Sequence, residues 1–117
     1  MAPQPGGLED IANGVRLTVH VPYILSDRDL REEIKNTLYS AATLTELFGQ
    51  LLETLKPKLE PSKYTWLENY LLDAGDRSRL SKSLLASLNN KLVRPQDGDI
   101  SLKAGDYVVV VGQMSGG

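Results

Sequence analysis

The sequence feature that most constrains the fold is an amphipathic segment near the middle of the chain. Thr43 and Glu46 have the spacing of a capping box, which marks the start of a helix. Pro57 ends the pattern, because proline cannot continue a helix. We therefore predict a main helix over residues 43–56 that packs on a sheet through one apolar face. The residues of that face recur at helical spacing and are Leu44, Leu47, Phe48, Leu51, Leu52 and Leu55.

Two further segments have patterns typical of β-strands. Apolar and polar residues alternate strictly over residues 15–21, which is the period of a half-buried strand, and His20 falls on the polar side. Residues 107–111 form an apolar run rich in β-branched side chains, which is typical of a central strand. We expect His20 to be a surface residue, and the functional alternative for it is contact with a partner.

The segments around the main helix have weaker patterns. Residues 26–33 are polar, which favours a loop or turn, and a second, weaker strand is predicted over residues 34–39. A shorter helix is predicted between Pro61 and Gly75, with Ser62 near its cap and Gly75 at its end. For the aromatic residues of this helix we favour a small local core over a binding surface. They are Tyr64, Trp66 and Tyr70.

Residues 77–93 fit two interpretations. Their leucines are spaced acceptably for one face of a helix, but residues 84–88 also alternate as in a strand. Asn89 and Asn90 favour the second interpretation, because asparagine tolerates the positive φ that a tight hairpin turn needs at both central positions. The residues alone leave helix and strand open.

Composition removes most kinds of chemistry from the folded part of the chain. The net charge of -2, with mixed signs, gives no electrostatic reason to expect a nucleic acid or membrane partner. No apolar run approaches the length of a membrane span, and residues 1–7 lack the features of a signal peptide, so we expect a cytoplasmic location. The absence of cysteine and the single histidine leave no thiol nucleophile, no disulfide and no evident metal site.

The chain length of 117 residues fits one domain with a tail at each end. Residues 1–14 are rich in proline and glycine and are predicted to be a flexible N-terminal leader. Residues 15–111 are predicted to form the domain, and residues 112–117 to form a flexible C-terminal tail. Because glycine has no Cβ, a tail that ends in two glycines can enter a narrow channel in another protein.

We predict that the working group of the protein is the carboxylate of the last residue, Gly117. In this interpretation the body of the protein is a scaffold that presents the tail to the active site of a partner. The tail residues expected to lie in the partner's channel are Gly116, Ser115, Met114 and Gln113.

The closing segment resembles that of the MoaD/ThiS family of ubiquitin-like sulfur-carrier proteins. In that family a Gly-Asp turn opens the last strand and a small residue precedes a final pair of glycines, as Gly105, Asp106 and Ser115 do here. Residues 88–92 resemble the family's hairpin, and residues 43–56 match its principal helix. The chain departs from the family at residues 112–114, where prolines are common, and in the added length of residues 60–79.

The resemblance implies an α+β fold of the β-grasp type, in which a mixed sheet packs on one main helix, here with an extra short helix. It also favours strand over helix at residues 84–88. In the family, an E1-like adenylyltransferase (MoeB/ThiF-like) uses ATP to adenylate the terminal carboxylate, here that of Gly117. Sulfur from a persulfide donor then displaces AMP and leaves a thiocarboxylate. The carrier binds no cofactor and is a co-substrate or subunit, not an enzyme by itself.

The resemblance leaves more than one use for the activated carboxylate of Gly117. The MoaD-like ending favours transfer of sulfur to a pterin precursor in the large subunit of molybdopterin synthase. Alternatives are sulfur transfer for thiamine or for tRNA thiolation, and a protein modifier that becomes linked to lysines of other proteins. In the remaining interpretation, the chain is an interaction domain in which the final glycines have no chemical role.

Deletion of Gly117 is expected to leave the melting temperature of the protein nearly unchanged, because a solvated tail makes few buried contacts. Thermal unfolding followed by circular dichroism measures this. A large fall in melting temperature would contradict the prediction and would mean that the tail is packed against the domain.

Overall fold

The structure is a computed structural model that describes residues 14–21 and 24–112, and these residues form an α+β arrangement. Four strands make one mixed sheet, and three α-helices and a short 3-10 helix complete the described part of the chain. The strands are β1 (Arg16–His20), β2 (Ala86–Leu88), β3 (Lys91–Leu92) and β4 (Tyr107–Val111). The α-helices are α1 (Arg28–Asn36), α2 (Leu44–Leu55) and α3 (Pro61–Leu71), and the 3-10 helix is Pro95–Asp97.

The first and last strands are neighbours in the sheet. The strand order is β1-β4-β2-β3, with β1 and β4 parallel and the other neighbouring pairs antiparallel. Arg16 lies opposite Tyr107, and His20 lies opposite Val111. Both strands form where the alternating pattern and the apolar run predict them, and His20 is exposed as expected. The described chain therefore begins and ends on adjacent strands.

The hydrophobic core lies between the helices and one face of the sheet. Leu17 of β1 and Val108 and Val110 of β4 are completely buried and belong to one cluster with the helices. All six side chains of the apolar face of α2 are buried in the same cluster, as their spacing predicts. Burying one such side chain contributes about 1.5–3 kcal/mol to folding, so α2 is a main source of stability for the sheet.

The predicted N-cap fixes the start of α2. The hydroxyl of Thr43 accepts a hydrogen bond from the N–H of Glu46 at 3.2 Å. The Glu46 carboxylate accepts a hydrogen bond from the N–H of Ala42 at 2.5 Å, one residue earlier than in a standard capping box. The helix ends at Leu55, so the main helix predicted over residues 43–56 is confirmed.

The prediction of a loop at residues 26–33 and a strand at residues 34–39 is wrong, because helix α1 occupies most of this segment. The carboxylate of Asp27 caps the helix by accepting hydrogen bonds from the N–H groups of Asp29 and Leu30, at 2.9 and 3.3 Å. Leu30 and Ile34, one helical turn apart, are its buried residues. Two apolar residues in a charged segment are too few for the helical period to be recognised in the sequence.

Within the described residues, the expected architecture of one main helix and one extra short helix is therefore corrected to three α-helices of 9, 12 and 11 residues. Helix α3 begins at Pro61 after Glu60 and has no side-chain cap, so Ser62 does not have the predicted capping role. It ends at Leu71 rather than at Gly75, because Leu72 pairs with Leu80 in an isolated bridge. No helix in the described part of the chain is long and apolar enough to cross a membrane.

In the ambiguous segment at residues 77–93, strands β2 and β3 form and no residue is helical. Residues 77–85 form turns and irregular structure apart from the bridge at Leu80, so the strand expected over residues 84–88 begins only at Ala86. β2 and β3 are joined by a hairpin in which Leu88 lies opposite Lys91. Asn89 and Asn90 occupy the turn with φ values of 51° and 72°. The prediction of a tight hairpin with positive φ at both asparagines is confirmed.

Candidate functional site

The tail residues to which the sequence assigns the chemistry lie outside the described residues. They are Gln113, Met114, Ser115, Gly116 and Gly117. The described chain ends at Gly112, the residue from which this tail continues. We call the end of β4 and Gly112, with the groups that hold them, the tail root.

On one side, the tail root is held by β1. The N–H of Gly112 donates a hydrogen bond to the carbonyl oxygen of His20 at 2.8 Å, which extends the parallel pairing of β1 and β4 by one residue. A Cβ atom at Gly112 would lie 2.6 Å from Cγ1 of Val21 and 3.3 Å from its Cα. The close approach of the segments that follow β1 and β4 therefore requires glycine at this position. Gly112, expected as the first residue of the tail, is bonded to the folded domain.

On the other side, the tail root is held by Leu85 and by Tyr70 of helix α3. The N–H of Val111 donates to the carbonyl oxygen of Leu85 at 3.0 Å. The hydroxyl of Tyr70 donates to the carbonyl oxygen of Val111 at 2.5 Å and accepts from the N–H of Leu85 at 3.2 Å. Tyr70 is buried, and its ring stacks on that of Trp66 with centroids 5.0 Å apart. Trp66 itself is exposed, so the expected local core of aromatic residues includes only part of the cluster.

The beginning of β4 is fixed by Asp106 and Asn89. The Asp106 carboxylate accepts hydrogen bonds from the N–H of Lys103 at 2.8 Å and from the side-chain amide of Asn89 at 2.9 Å. The same amide group of Asn89 accepts from the N–H of Tyr107 at 2.9 Å. Gly105, with φ of 88°, forms the turn before them. The Gly-Asp turn and the hairpin asparagine, recognised separately in the sequence, form one hydrogen-bonded unit.

The carboxylate of Asp106 is ionised more readily than an ordinary aspartate. Burial raises its pKa, but the hydrogen bonds from Asn89 and Lys103 and the positive charge of Lys103 outweigh burial, so the pKa is lowered overall. The folded state therefore binds the Asp106 proton less tightly than the unfolded state does. This carboxylate stabilises the fold at neutral pH.

The sheet has an outer face, directed away from the core, that carries several exposed apolar side chains next to the tail root. Leu92 is 67% exposed, and Leu85, Tyr107 and Val111 are each 36% exposed. The residues assigned to the outer face by strand register and exposure include no acidic side chain. They are Arg16, Thr18, His20, Leu85, Ser87, Leu92, Tyr107, Val109 and Val111.

Within residues 14–21 and 24–112, no three histidine, cysteine, aspartate or glutamate side chains are grouped closely enough to hold a metal ion. His20 is exposed on the outer face and has no carboxylate of that face beside it. The described residues thus offer a hydrogen-bonded tail root and an exposed apolar surface. This arrangement suits presentation of a terminal group to another protein.

Sequence reasoning missed the part that Tyr70 and Leu85 have in the tail root. Tyr70 lies in the segment of added length, and the only signal was its aromatic character. Leu85 makes its contacts through its main-chain N–H and carbonyl groups. Every residue except proline has both groups, so no side-chain signal in the sequence could identify Leu85.

Comparison with known proteins does not assign a function to the tail root or to the outer face. The chain matches none of the protein-family models, curated proteins or solved structures with which it was compared. The tail sequence and the geometry of the tail root are therefore the features that indicate a function.

Replacement of Asp106 by asparagine is expected to lower the free energy of unfolding by about 1–3 kcal/mol near neutral pH, because a buried hydrogen-bonding group loses its partner. The lowered pKa of Asp106 means that its stabilising effect is complete above the unfolded pKa, near the ordinary value of 3.8. The effect is lost as pH falls from there through the folded pKa. The difference between Asp106→Asn and the wild type should therefore shrink in acid.

Urea denaturation at about pH 7 and about pH 3 measures this difference. Asp97→Asn is the matched control, because Asp97 is exposed and lies 3.8 Å from Arg94 in a surface ion pair. Surface pairs of this kind contribute little to stability. An Asp106→Asn defect that is equally large at both pH values would contradict the role assigned to the ionised carboxylate.

Proposed function

We propose that the protein is a ubiquitin-like sulfur carrier of the β-grasp fold, acting in the cytoplasm, whose chemistry is carried by the carboxylate of Gly117. The observation that carries the proposal is the tail root. β4 ends at Val111, and Val111 and Gly112 are hydrogen-bonded to groups of β1, α3 and Leu85. Five more residues then complete the chain to Gly117. The Gly117 carboxylate is thus within five residues of the hydrogen-bonded end of the domain.

The topology supports the β-grasp assignment. In that fold the first and last strands are parallel neighbours and a helix packs across one face of the sheet. Here β1 and β4 are parallel neighbours, and α2 is buried against the same core as their inward side chains. The hairpin at Asn89 and the turn at Gly105, both of which carry the family resemblance, are formed.

The proposed reaction begins with an E1-like adenylyltransferase of the MoeB/ThiF type. An oxygen of the Gly117 carboxylate attacks the α-phosphorus of ATP, and pyrophosphate leaves. The product is an acyl adenylate, in which AMP is a far better leaving group than the oxide of a free carboxylate. The terminal sulfur of a persulfide donor then attacks the acyl carbon and AMP leaves. A second thiol cleaves the resulting S–S bond and releases the thiocarboxylate.

The absence of cysteine from the chain supports the carboxylate as the group that carries sulfur, because no thiol is present to do so. We propose the large subunit of a molybdopterin synthase as the acceptor, since the ending Ser115-Gly116-Gly117 resembles that of its small subunit. The carrier is then a co-substrate of the activating enzyme and a subunit of the synthase. ATP is bound by the activating enzyme and not by the carrier.

We assign docking of the adenylyltransferase to the outer face of the sheet. Val111 belongs to the outer face and is bonded directly to Gly112, so the surface is continuous with the tail root. A partner bound there has its active site within reach of the tail. The outer face carries Arg16 and no acidic side chain, which suits a partner surface with an acidic rim around an apolar centre.

The activation step is tested by ATP–pyrophosphate exchange with the E1-like adenylyltransferase of the same organism. The wild-type chain is expected to stimulate exchange. A variant with one alanine added after Gly117 is the matched control, because the domain is unchanged and the terminal carboxylate is displaced by one residue. We expect this extension to abolish exchange.

Equal exchange by the wild type and the extended variant would contradict the proposal. A wild-type chain that supports no exchange with a competent enzyme would also contradict it. Gly-Gly remnants on lysines of other proteins, together with ATP-dependent exchange, would assign the activated carboxylate to protein modification instead of sulfur transfer.

Replacement of Leu92 by serine is expected to raise the KM for the carrier in this assay by about tenfold, because we place Leu92 among the minority of interface residues whose truncation costs more than about 1 kcal/mol of binding. Leu92 is 67% exposed, so little stability should be lost. Lys56→Ser changes an exposed residue after α2 and is the control. An unchanged KM for Leu92→Ser would show that Leu92 and the part of the outer face around it do not belong to the docking surface.

A further inference from the structure

The pairing of β2 with β4 is interrupted by a side chain at the tail root. Within this antiparallel pair, Ser87 lies opposite Val109, so continuation of the register places Leu85 opposite Val111. Residue pairs that exchange two main-chain hydrogen bonds alternate with pairs that exchange none. Asn89, four residues from Leu85 along the chain, donates its N–H to the carbonyl oxygen of Tyr107 opposite it. By the alternation, Leu85 and Val111 are therefore also a pair that would exchange both bonds.

One of these two bonds is present and the other is replaced. The N–H of Val111 donates to the carbonyl oxygen of Leu85 at 3.0 Å. The N–H of Leu85 donates instead to the Tyr70 hydroxyl at 3.2 Å, and that hydroxyl donates to the carbonyl oxygen of Val111 at 2.5 Å. The hydroxyl thus occupies the place of a main-chain hydrogen bond. It satisfies both groups that a direct bond would have joined.

The inserted hydroxyl marks the point at which the pairing of β2 with β4 ends. β2 begins at Ala86, so the paired strands end at the residue where the hydroxyl enters. On the opposite side of β4, the N–H of Gly112 still donates to the carbonyl oxygen of His20 at 2.8 Å. The last described peptide groups of the chain are therefore held by β1 on one side and by a tyrosine side chain on the other.

Helix α3 places this tyrosine in a buried position at the tail root. Tyr70 lies in the last turn of the helix, is 7% exposed and stacks on Trp66 with a ring angle of 21°. Arg77 fixes the end of the helix by donating to the side-chain oxygen of Asn69 at 3.2 Å and by an ion pair with Glu68 at 3.1 Å. The segment of added length, residues 60–79, thus places one hydroxyl at the tail root.

We propose that Tyr70 is a positioning residue, whose hydroxyl fixes the orientation of the Val111 carbonyl and so of the peptide group through which the chain leaves the domain at Gly112. The inference rests on the proposed function, in which the Gly117 carboxylate is delivered to ATP in the partner from this exit point of the chain. A reacting group displaced by about 1 Å can lose up to about a hundredfold in rate. The hydroxyl bonds to main-chain groups of Leu85 and Val111, so its removal leaves their side chains, which belong to the outer face, in place.

The test compares Tyr70→Phe with Tyr64→Phe. Tyr70→Phe removes the hydroxyl and keeps the ring that stacks on Trp66. Tyr64→Phe removes the same atom from a tyrosine of the same helix that does not contribute to the pairing of Leu85 with Val111. Amide NMR spectra establish that each variant is folded, and they report Val111, Gly112 and the tail residues individually.

We expect Tyr70→Phe to shift the NMR signals of Leu85, Val111, Gly112 and the tail and to leave distant signals in place. Amide exchange at Leu85 should accelerate, since its acceptor is removed. In ATP–pyrophosphate exchange, kcat should fall about tenfold while the KM for the carrier changes less than about twofold. Tyr64→Phe should match the wild type in all three measurements.

Unchanged tail signals and an unchanged kcat in Tyr70→Phe would overturn the positioning role. A fall in kcat matched by an equal fall in the folded fraction would also overturn it, because a loss of fold alone would then explain the result. The NMR measurement needs no partner enzyme. Shifted tail signals in a protein whose wild type supports no exchange would therefore contradict the proposed function and uphold the positioning role.

Discussion

The parallel pairing of β1 with β4 joins the beginning of the described chain to its end. Because each strand satisfies the main-chain groups of the other from Arg16 opposite Tyr107 to His20 opposite Val111, the point at which the tail begins is fixed by long-range bonds. The inward side chains of these strands enter the core with α2, and their outward side chains form part of the exposed outer face. The tail root and the proposed docking surface both depend on this pairing.

The sequence predicted those elements whose information is local. Thr43 and the leucine spacing specify α2, the two asparagines specify the hairpin turn, and the β-branched run specifies β4. It did not predict α1, where a capping aspartate and two buried residues stand among charges. It could not predict the contacts of the tail root, because the Tyr70 hydroxyl meets Val111 across 41 residues. Such a contact depends on how α3 packs and not on a local pattern.

The contacts that hold β4 in place do not involve reactive side chains. Asp106 and Asn89 hold the beginning of β4, whereas Tyr70, Leu85 and β1 hold its end, and these contacts use ordinary hydrogen bonds rather than reactive groups. In the proposed function, reactivity is supplied by ATP and by partner enzymes, and the domain supplies the position of one carboxylate. A chain with no cysteine and one exposed histidine is sufficient for that task.

Intact-mass spectrometry of the protein purified from its own host, without reagents that destroy thiocarboxylates, tests the central proposal most directly. The proposal predicts a form of the chain ending at Gly117 in which one oxygen of the terminal carboxylate is replaced by sulfur. The chain should revert to the carboxylate mass on hydrolysis. A chain that continues beyond Gly117, or one that ends there but never carries sulfur while its activating enzyme and sulfur donor are present, would contradict it.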